Sequence, residues 1–185
     1  MSTADRLVAS MQTLLWENGF TGTSPRAVQE LAGAGQGSMY HHFRGKTDLA
    51  IAAEHRMADE LKAQIQQRLR SGSTVRDRIA AFLTVDENVL RGCRLGRLVQ
   101  DSAVVADPAL LEPISTMFTW IQDQIRQVLA DGKAQGELAA DLDIDALATT
   151  ILALRQGAYV LARGAQSEEP FRRAAAGILQ LIPGR

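Results

Sequence analysis

Apolar residues recur three and four positions apart along almost the whole of this 185-residue chain, with no alternating run between turn signals of the kind a strand needs. That periodicity predicts an all-α fold of about nine helices. Leu7, Met11, Leu14 and Leu15 place an amphipathic helix from about Ala4 to Asn18, which Gly19 ends. Thr23 or Ser24 then supplies an N-cap oxygen, and Pro25 suits a first turn because its missing N–H costs nothing there, so a second helix runs to about Ala32. Gly33, Gly35 and Gly37 mark a tight turn into a third helix, Gln36 to Phe43, too short to hold without packing on its neighbours.

A longer helix is expected from Thr47 to about Arg70. Its apolar positions, Leu49, Ala53, Met57, Leu61, Ile65 and Leu69, advance four at a time, so the stripe winds round the helix and its two ends face different neighbours. This connector, spanning on the order of 35 Å, divides the chain into an N-terminal domain, 1–46, and a C-terminal domain, 47–185. Further helices are expected at Val75–Asn88 and Arg94–Val105, with restarts at Asp107-Pro108 and again at Pro113, since proline belongs in a first turn and not deeper. Ile114, Met117, Phe118, Ile121, Ile125, Val128 and Leu129 then share one face of a well-marked helix. Asp141, Asp143 and Asp145 lead into another that closes at Arg163 and Gly164, and a last one covers Glu169–Ile182.

The three short N-terminal helices form a helix-turn-helix pattern, and the composition of the third sharpens it. Gln36, Ser38, Tyr40, His41 and His42 are polar or amphipathic, with Arg44 and Lys46 just beyond; only Met39 and Phe43 suit inward packing. The other faces can offer donors and acceptors to base edges and phosphates, the competing reading being a merely solvated polar turn.

The stretch Phe20-Thr21-Gly22-Thr23-Ser24-Pro25-Arg26-Ala27-Val28, followed by Ala32-Gly33-Ala34-Gly35-Gln36-Gly37-Ser38-Met39-Tyr40-His41-His42-Phe43-Arg44-Gly45-Lys46, resembles the DNA-binding domain of TetR-family transcriptional repressors. The resemblance departs at Ala34, at Gly35, where a capping hydroxyl is usual, and at Met39, where leucine is usual. It implies that Gln36, Gly37, Ser38, Tyr40 and His41 face the major groove, and that Thr23, Arg26, Tyr40, His42 and Lys46 grip phosphates. Glutamine can pair with an adenine edge, and Lys and Arg release counterions from the backbone. It further implies a homodimer through the last two helices, a double-stranded operator with palindromic half-sites, and a small-molecule inducer. Arg91-Gly92-Cys93-Arg94-Leu95-Gly96 is similar to a Gly-Cys element of the family branch named after LmrA and YxaF.

A ligand pocket is expected beside the helix at 114–135. Arg155 and Gln156 are polar groups inside an apolar helix, where they either orient a ligand or satisfy another polar group. Trp120 lies off the apolar stripe of its helix and faces a pocket or solvent; Leu95, Val99, Met117, Phe118, Ile121 and Tyr159 are lining candidates that equally suit plain core. Arg91, Arg94 and Arg97, three apart, read as a solvated face. In the last helix Ala174, Ala175 and Gly177 would let two backbones approach across a two-fold axis.

Charge placement matters more than its total. The 20 basic and 21 acidic residues nearly cancel, yet between Gly22 and Thr47 stand Arg26, Arg44, Lys46, His41 and His42 against Glu30 alone. No run approaches the ~20 apolar residues of a membrane span and no signal pattern opens the chain, so a cytoplasmic protein without a membrane partner is expected. One cysteine and three histidines provide neither an internal disulfide nor a zinc cluster, and no cofactor is called for. An all-α enzyme is the first rival, but Ser38 with His41 or His42 lacks an orienting acid. The second rival is an interaction module that has lost DNA binding, made conceivable by the missing cap at Gly35; for the C-terminal part alone the alternative is an interaction module without a small-molecule inducer.

Overall fold

The computed structural model describes residues 1–84 and 89–183. Those residues hold nine α-helices and no strand: α1 (Thr3–Asn18), α2 (Pro25–Ala32), α3 (Gln36–His42), α4 (Lys46–Arg70), α5 (Val75–Leu83), α6 (Ser102–Ala106), α7 (Pro108–Ala134), α8 (Ile144–Ala165) and α9 (Glu169–Leu181). Single 3-10 turns lie at Val89–Arg91 and Leu98–Gln100. The chain forms two compact units, one made of Met1–Glu60 with Arg94–Met117, the other of Leu61–Cys93 with Phe118–Arg185.

In the first unit, Ser2 and Asp5 close a reciprocal capping box at the start of α1, and Gly19 ends the helix at φ 74°, a region that glycine enters without steric cost. Leu7, Met11 and Leu15 are fully buried, which is the four-residue spacing read from the sequence. Arg6 of α1 donates from Nε to the carbonyl of Ala32 at 3.1 Å, satisfying the C-terminal end of α2. Glu54 of α4 is completely buried and neither of its carboxylate oxygens has a hydrogen-bond partner among the described residues. Burial, helped by the negative charge of Asp107, pushes its pKa up to about 8.

Two helical expectations fail in this region. Arg94–Val105 is not one helix: a 3-10 turn precedes α6, whose new start is capped by the Asp101 side chain accepting from the Ala103 N–H at 3.1 Å. Arg94 and Arg97 are not a solvated face either. Arg94 pairs with Glu60 at 3.3 Å and stacks over Trp16, while Arg97 donates to the Trp16 carbonyl. Pro113, expected to restart the chain, lies inside a continuous α7. It removes one N–H from the ladder, but Leu110, Ile114, Met117 and Ile121 are at most 1% exposed, and burying such side chains contributes roughly 1.5–3 kcal/mol each, enough to carry the helix through.

In the second unit, Thr74 and Asp77 form the capping box of α5, and Glu137 accepts from the Val75 N–H at 2.9 Å. The helix ends at Leu83; the part of the expected helix at 85–88 lies outside the described residues. Gly132 of α7 permits close approach to α5, since a Cβ built on it would stand 2.0 Å from Val75 Cγ2. Helices α8 and α9 pack on one another, with Tyr159 and Phe171 rings 4.9 Å apart at the centre of a cluster that includes Val89, Ala158 and Ala162.

Candidate nucleic-acid interface

The helix-turn-helix is built by local rules. Ser24 is the N-cap of α2, its Oγ accepting from the Ala27 N–H at 3.1 Å, so of the two sequence candidates it is Ser24 that caps. Gly33 closes α2 in the left-handed region at φ 58°, turning the chain toward α3. Gly35 occupies the N-cap of α3 and offers no side-chain acceptor, so the seven-residue α3 relies on packing. Met39 supplies it. This side chain is fully buried, and its sulfur accepts from Gln29 Nε2 of α2 at 3.3 Å.

Everything else on α3 is turned outward or sits at the edge. Gln36, Gly37, Tyr40, His41 and His42 are exposed and Ser38 is half-buried. The His41 and His42 rings meet edge to face, with centroids 5.0 Å apart. Phe43, expected in the core, is only half-buried and serves as the C-cap of α3. Arg26 is exposed and paired with Glu30 at 2.8 Å on the same face of α2. Lys46 holds its ammonium 4.1 Å from the Phe20 ring centroid. Partial burial lowers its pKa from the usual lysine value, while the charge of Asp101 opposes that shift.

Thr23, expected among the phosphate contacts, faces inward: it is 1% exposed and its hydroxyl donates to the Gly19 carbonyl at 2.7 Å. Its work is to close the loop between α1 and α2. Arg44, which sequence reading placed beside the recognition helix without a role, is exposed at the exit of α3. Its backbone N–H is fixed by Asp48 Oδ2 at 3.1 Å, so a cation is presented from a held loop. A second feature had no sequence signal at all: Asp101 reaches the α1–α2 loop at Thr21.

The ligand candidates are divided between the units. Leu95, Val99 and Met117 belong to the first, where Leu95 and Met117 are buried and Val99 half-buried. Phe118, Trp120, Ile121, Arg155, Gln156 and Tyr159 belong to the second; Ile121, Arg155 and Tyr159 are buried, and the other three half-buried. Among these six, direct contact joins Arg155 to Tyr159, with the guanidinium 5.7 Å from the ring centroid. Cys93 is half-buried against the Tyr159–Phe171 cluster, as a small apolar residue would be.

Residues 9–53 match the family model for bacterial regulatory proteins of the tetR family, and residues 67–178 match the tetracyclin repressor-like C-terminal domain. The transcriptional regulator AcuR of Cereibacter sphaeroides is 29% identical over 156 residues, covering 80% of this chain and 71% of that protein. The HTH-type transcriptional repressor NemR of Escherichia coli is 27% identical over 186 residues, covering 97% and 94%. In structure, the reduced form of E. coli NemR gives a TM-score of 0.87 at 24% identity, over 99% of this chain and 98% of that one, a likeness of fold. A TetR transcriptional regulator from Chloroflexus aurantiacus gives 0.85 at 27% identity, over 97% and 93%.

Proposed function

The chain belongs to the TetR family of DNA-binding transcription regulators, and from that premise we propose that it is a homodimeric repressor, released from a palindromic operator by a small apolar or aromatic molecule. In this reading residues 1–46 bind DNA, residues 47–185 bind ligand and partner, and the protein works in the cytoplasm beside its operator. No helix among the described residues is long and apolar enough to cross a membrane.

The observation that carries the reading is the distribution of side chains on α3. One residue, Met39, is buried, while Gln36, Tyr40, His41 and His42 stand exposed together. A helix so arranged can lie in the major groove, with Gln36, Gly37, Ser38, Tyr40 and His41 toward base edges. Arg26, Tyr40, His42 and Lys46 take phosphates, with Thr23 contributing through the loop that it closes. Arg26 must first leave Glu30, an exchange made easy by the exposure of that pair.

Dimerisation is supported by the outer face of α8 and α9. Val160, Leu161 and Leu181 are 55%, 60% and 78% exposed, and Ala153, Gly157 and Gly164 lie along the same side of α8, also exposed. Such a run of apolar and small residues is what a two-fold neighbour would cover, placing two α3 helices on half-sites ~34–36 Å apart. Ligand release then requires tighter binding to a conformer whose recognition helices are wrongly spaced; equal affinity for both conformers shifts nothing. Helix α4, which runs from one unit into the other, is the natural lever.

The test is a mobility shift on the DNA upstream of the chain's own gene, run across a salt series and repeated with candidate aromatic ligands. Specific, salt-sensitive retardation relieved by a ligand is expected. Retardation no stronger than on random DNA would favour the interaction-module reading. For the dimer, Leu161→Asp should yield a monomer by light scattering with weakened operator binding; a variant still dimeric at micromolar concentration rejects this face.

A further inference from the structure

Arg155 is a cation buried inside the second unit with no counterion among the described residues. It is 4% exposed, its Nε is buried without a partner, and it makes no hydrogen bond or ion pair with any of the described residues. What holds it is aromatic: the guanidinium lies 4.6 Å from the Phe82 ring centroid and 5.7 Å from that of Tyr159. Rings attract a guanidinium electrostatically, but they accept none of the five N–H bonds that its edge offers. Gln156, the next residue, also has a buried amide nitrogen without a partner among the described residues. Two adjacent side chains of α8 thus each keep a buried donor unanswered by any described residue, an arrangement that folding alone disfavours because an unpaired buried charge is costly.

We infer that Arg155 is the anion-recognising group of the effector site, and that the effector is an organic carboxylate with an aromatic or alkyl body. This deepens the ligand-release reading above and rests on it. A carboxylate meets a guanidinium edge with two parallel hydrogen bonds, supplying at once the missing charge and the missing acceptors. The surroundings are apolar, as the body of such a molecule requires: Tyr159 packs on Phe171 in a cluster with Val89, Ala158 and Ala162. The neighbouring cavity of about 430 Å³, bordered by Leu83, Val89, Phe171 and Leu179, does not compete for the anion. Its own cation, Arg172, is already paired with Glu168 at 3.4 Å and Glu169 at 3.2 Å.

The experiment uses the full-length protein and matched pairs of equal shape: benzoate with benzamide, 2-naphthoate with 2-naphthamide, octanoate with octanamide. Calorimetry should show at least one acid binding tenfold or more tighter than its amide. Arg155→Met should erase that preference while leaving operator binding intact, and Arg155→Lys should keep part of it. A wild-type protein with no acid-over-amide preference in any pair overturns the inference, as does an Arg155→Met variant that keeps the full preference. The wild-type comparison stands even if a variant fails to fold. The mobility shift separates the two readings: acid preference without operator release leaves the anion site and rejects its role as inducer, whereas release by the amides alone keeps the repressor and rejects the anion site.

Discussion

Asp101, the N-cap of α6, accepts two hydrogen bonds from Thr21 across 80 residues of sequence, one from its backbone N–H at 2.7 Å and one from its hydroxyl at 2.6 Å. A single carboxylate thereby caps one helix and latches the loop that leads into another.

Removing that carboxylate should cost both functions. Asp101→Ala is expected to destabilise the protein by about 1–2 kcal/mol, read from the denaturant midpoint, with Thr21→Val costing less because the backbone bond survives. Burial works to raise the Asp101 pKa, but the hydrogen bonds from Thr21, then from the Ala103 and Phe20 amides, outweigh it and hold the group below its ordinary value of 3.8. The latch is therefore at full strength above the ordinary carboxylate range and is lost as pH falls through the depressed folded value. An unchanged midpoint in Asp101→Ala would contradict this account.

Glu54 predicts the opposite slope. Its folded pKa is about 8 against 4.5 for the free group, so between those values the native state keeps a proton that the unfolded chain has released. Raising the pH across that window favours unfolding, by on the order of a few kcal/mol at ~1.4 kcal/mol per unit. Glu54→Gln, neutral throughout, should flatten the decline and be the more stable protein at pH 8. Parallel stability profiles for the two proteins would show that Glu54 ionises normally.

Roles at the DNA should divide by chemistry. Lys46→Ala and Arg44→Ala are expected to weaken binding to all sequences and to lower the slope of affinity against salt by about one each, as for a lost phosphate contact. Gln36→Ala should instead relax base preference with the salt slope kept. Equal losses on operator and random DNA from all three changes reject the division.

Gly132→Ala tests the crossing of α5 and α7. The added Cβ would meet Val75 Cγ2 at 2.0 Å, an overlap that small-to-large changes in packed cores typically convert into about 1–3 kcal/mol. Val75→Ala introduced beside it should recover part of the loss, which a purely conformational effect at residue 132 would not allow.

The sequence carried the local half of the structure. Helix α2 runs from Pro25 to Ala32 as read, and α1, α3, α4 and α9 end within a residue or so of expectation, because capping oxygens, glycines and four-residue spacing act over one or two turns. Misreadings cluster where distant partners decide. The expected helix at 94–105 breaks at Asp101, which caps α6, while Arg94 and Arg97 are engaged by α4 and α1; Pro113 is carried through α7 by packing. At the DNA-binding face, the exposure of α3 followed from its composition. The inward turn of Thr23 and the Asp101 latch did not, since both depend on which loop a side chain meets after folding.

The interleaving of the two compact units sets an order on synthesis. The first 60 residues, which include every residue assigned to DNA, pack with Arg94–Met117, so on the ribosome they must wait through an intervening stretch committed elsewhere. Excising residues 1–60 as a minimal reader, or grafting them onto another core, would leave Thr21 without Asp101 and Trp16 without Arg94 and Arg97. A transplant of this DNA-binding end must carry both stretches of chain.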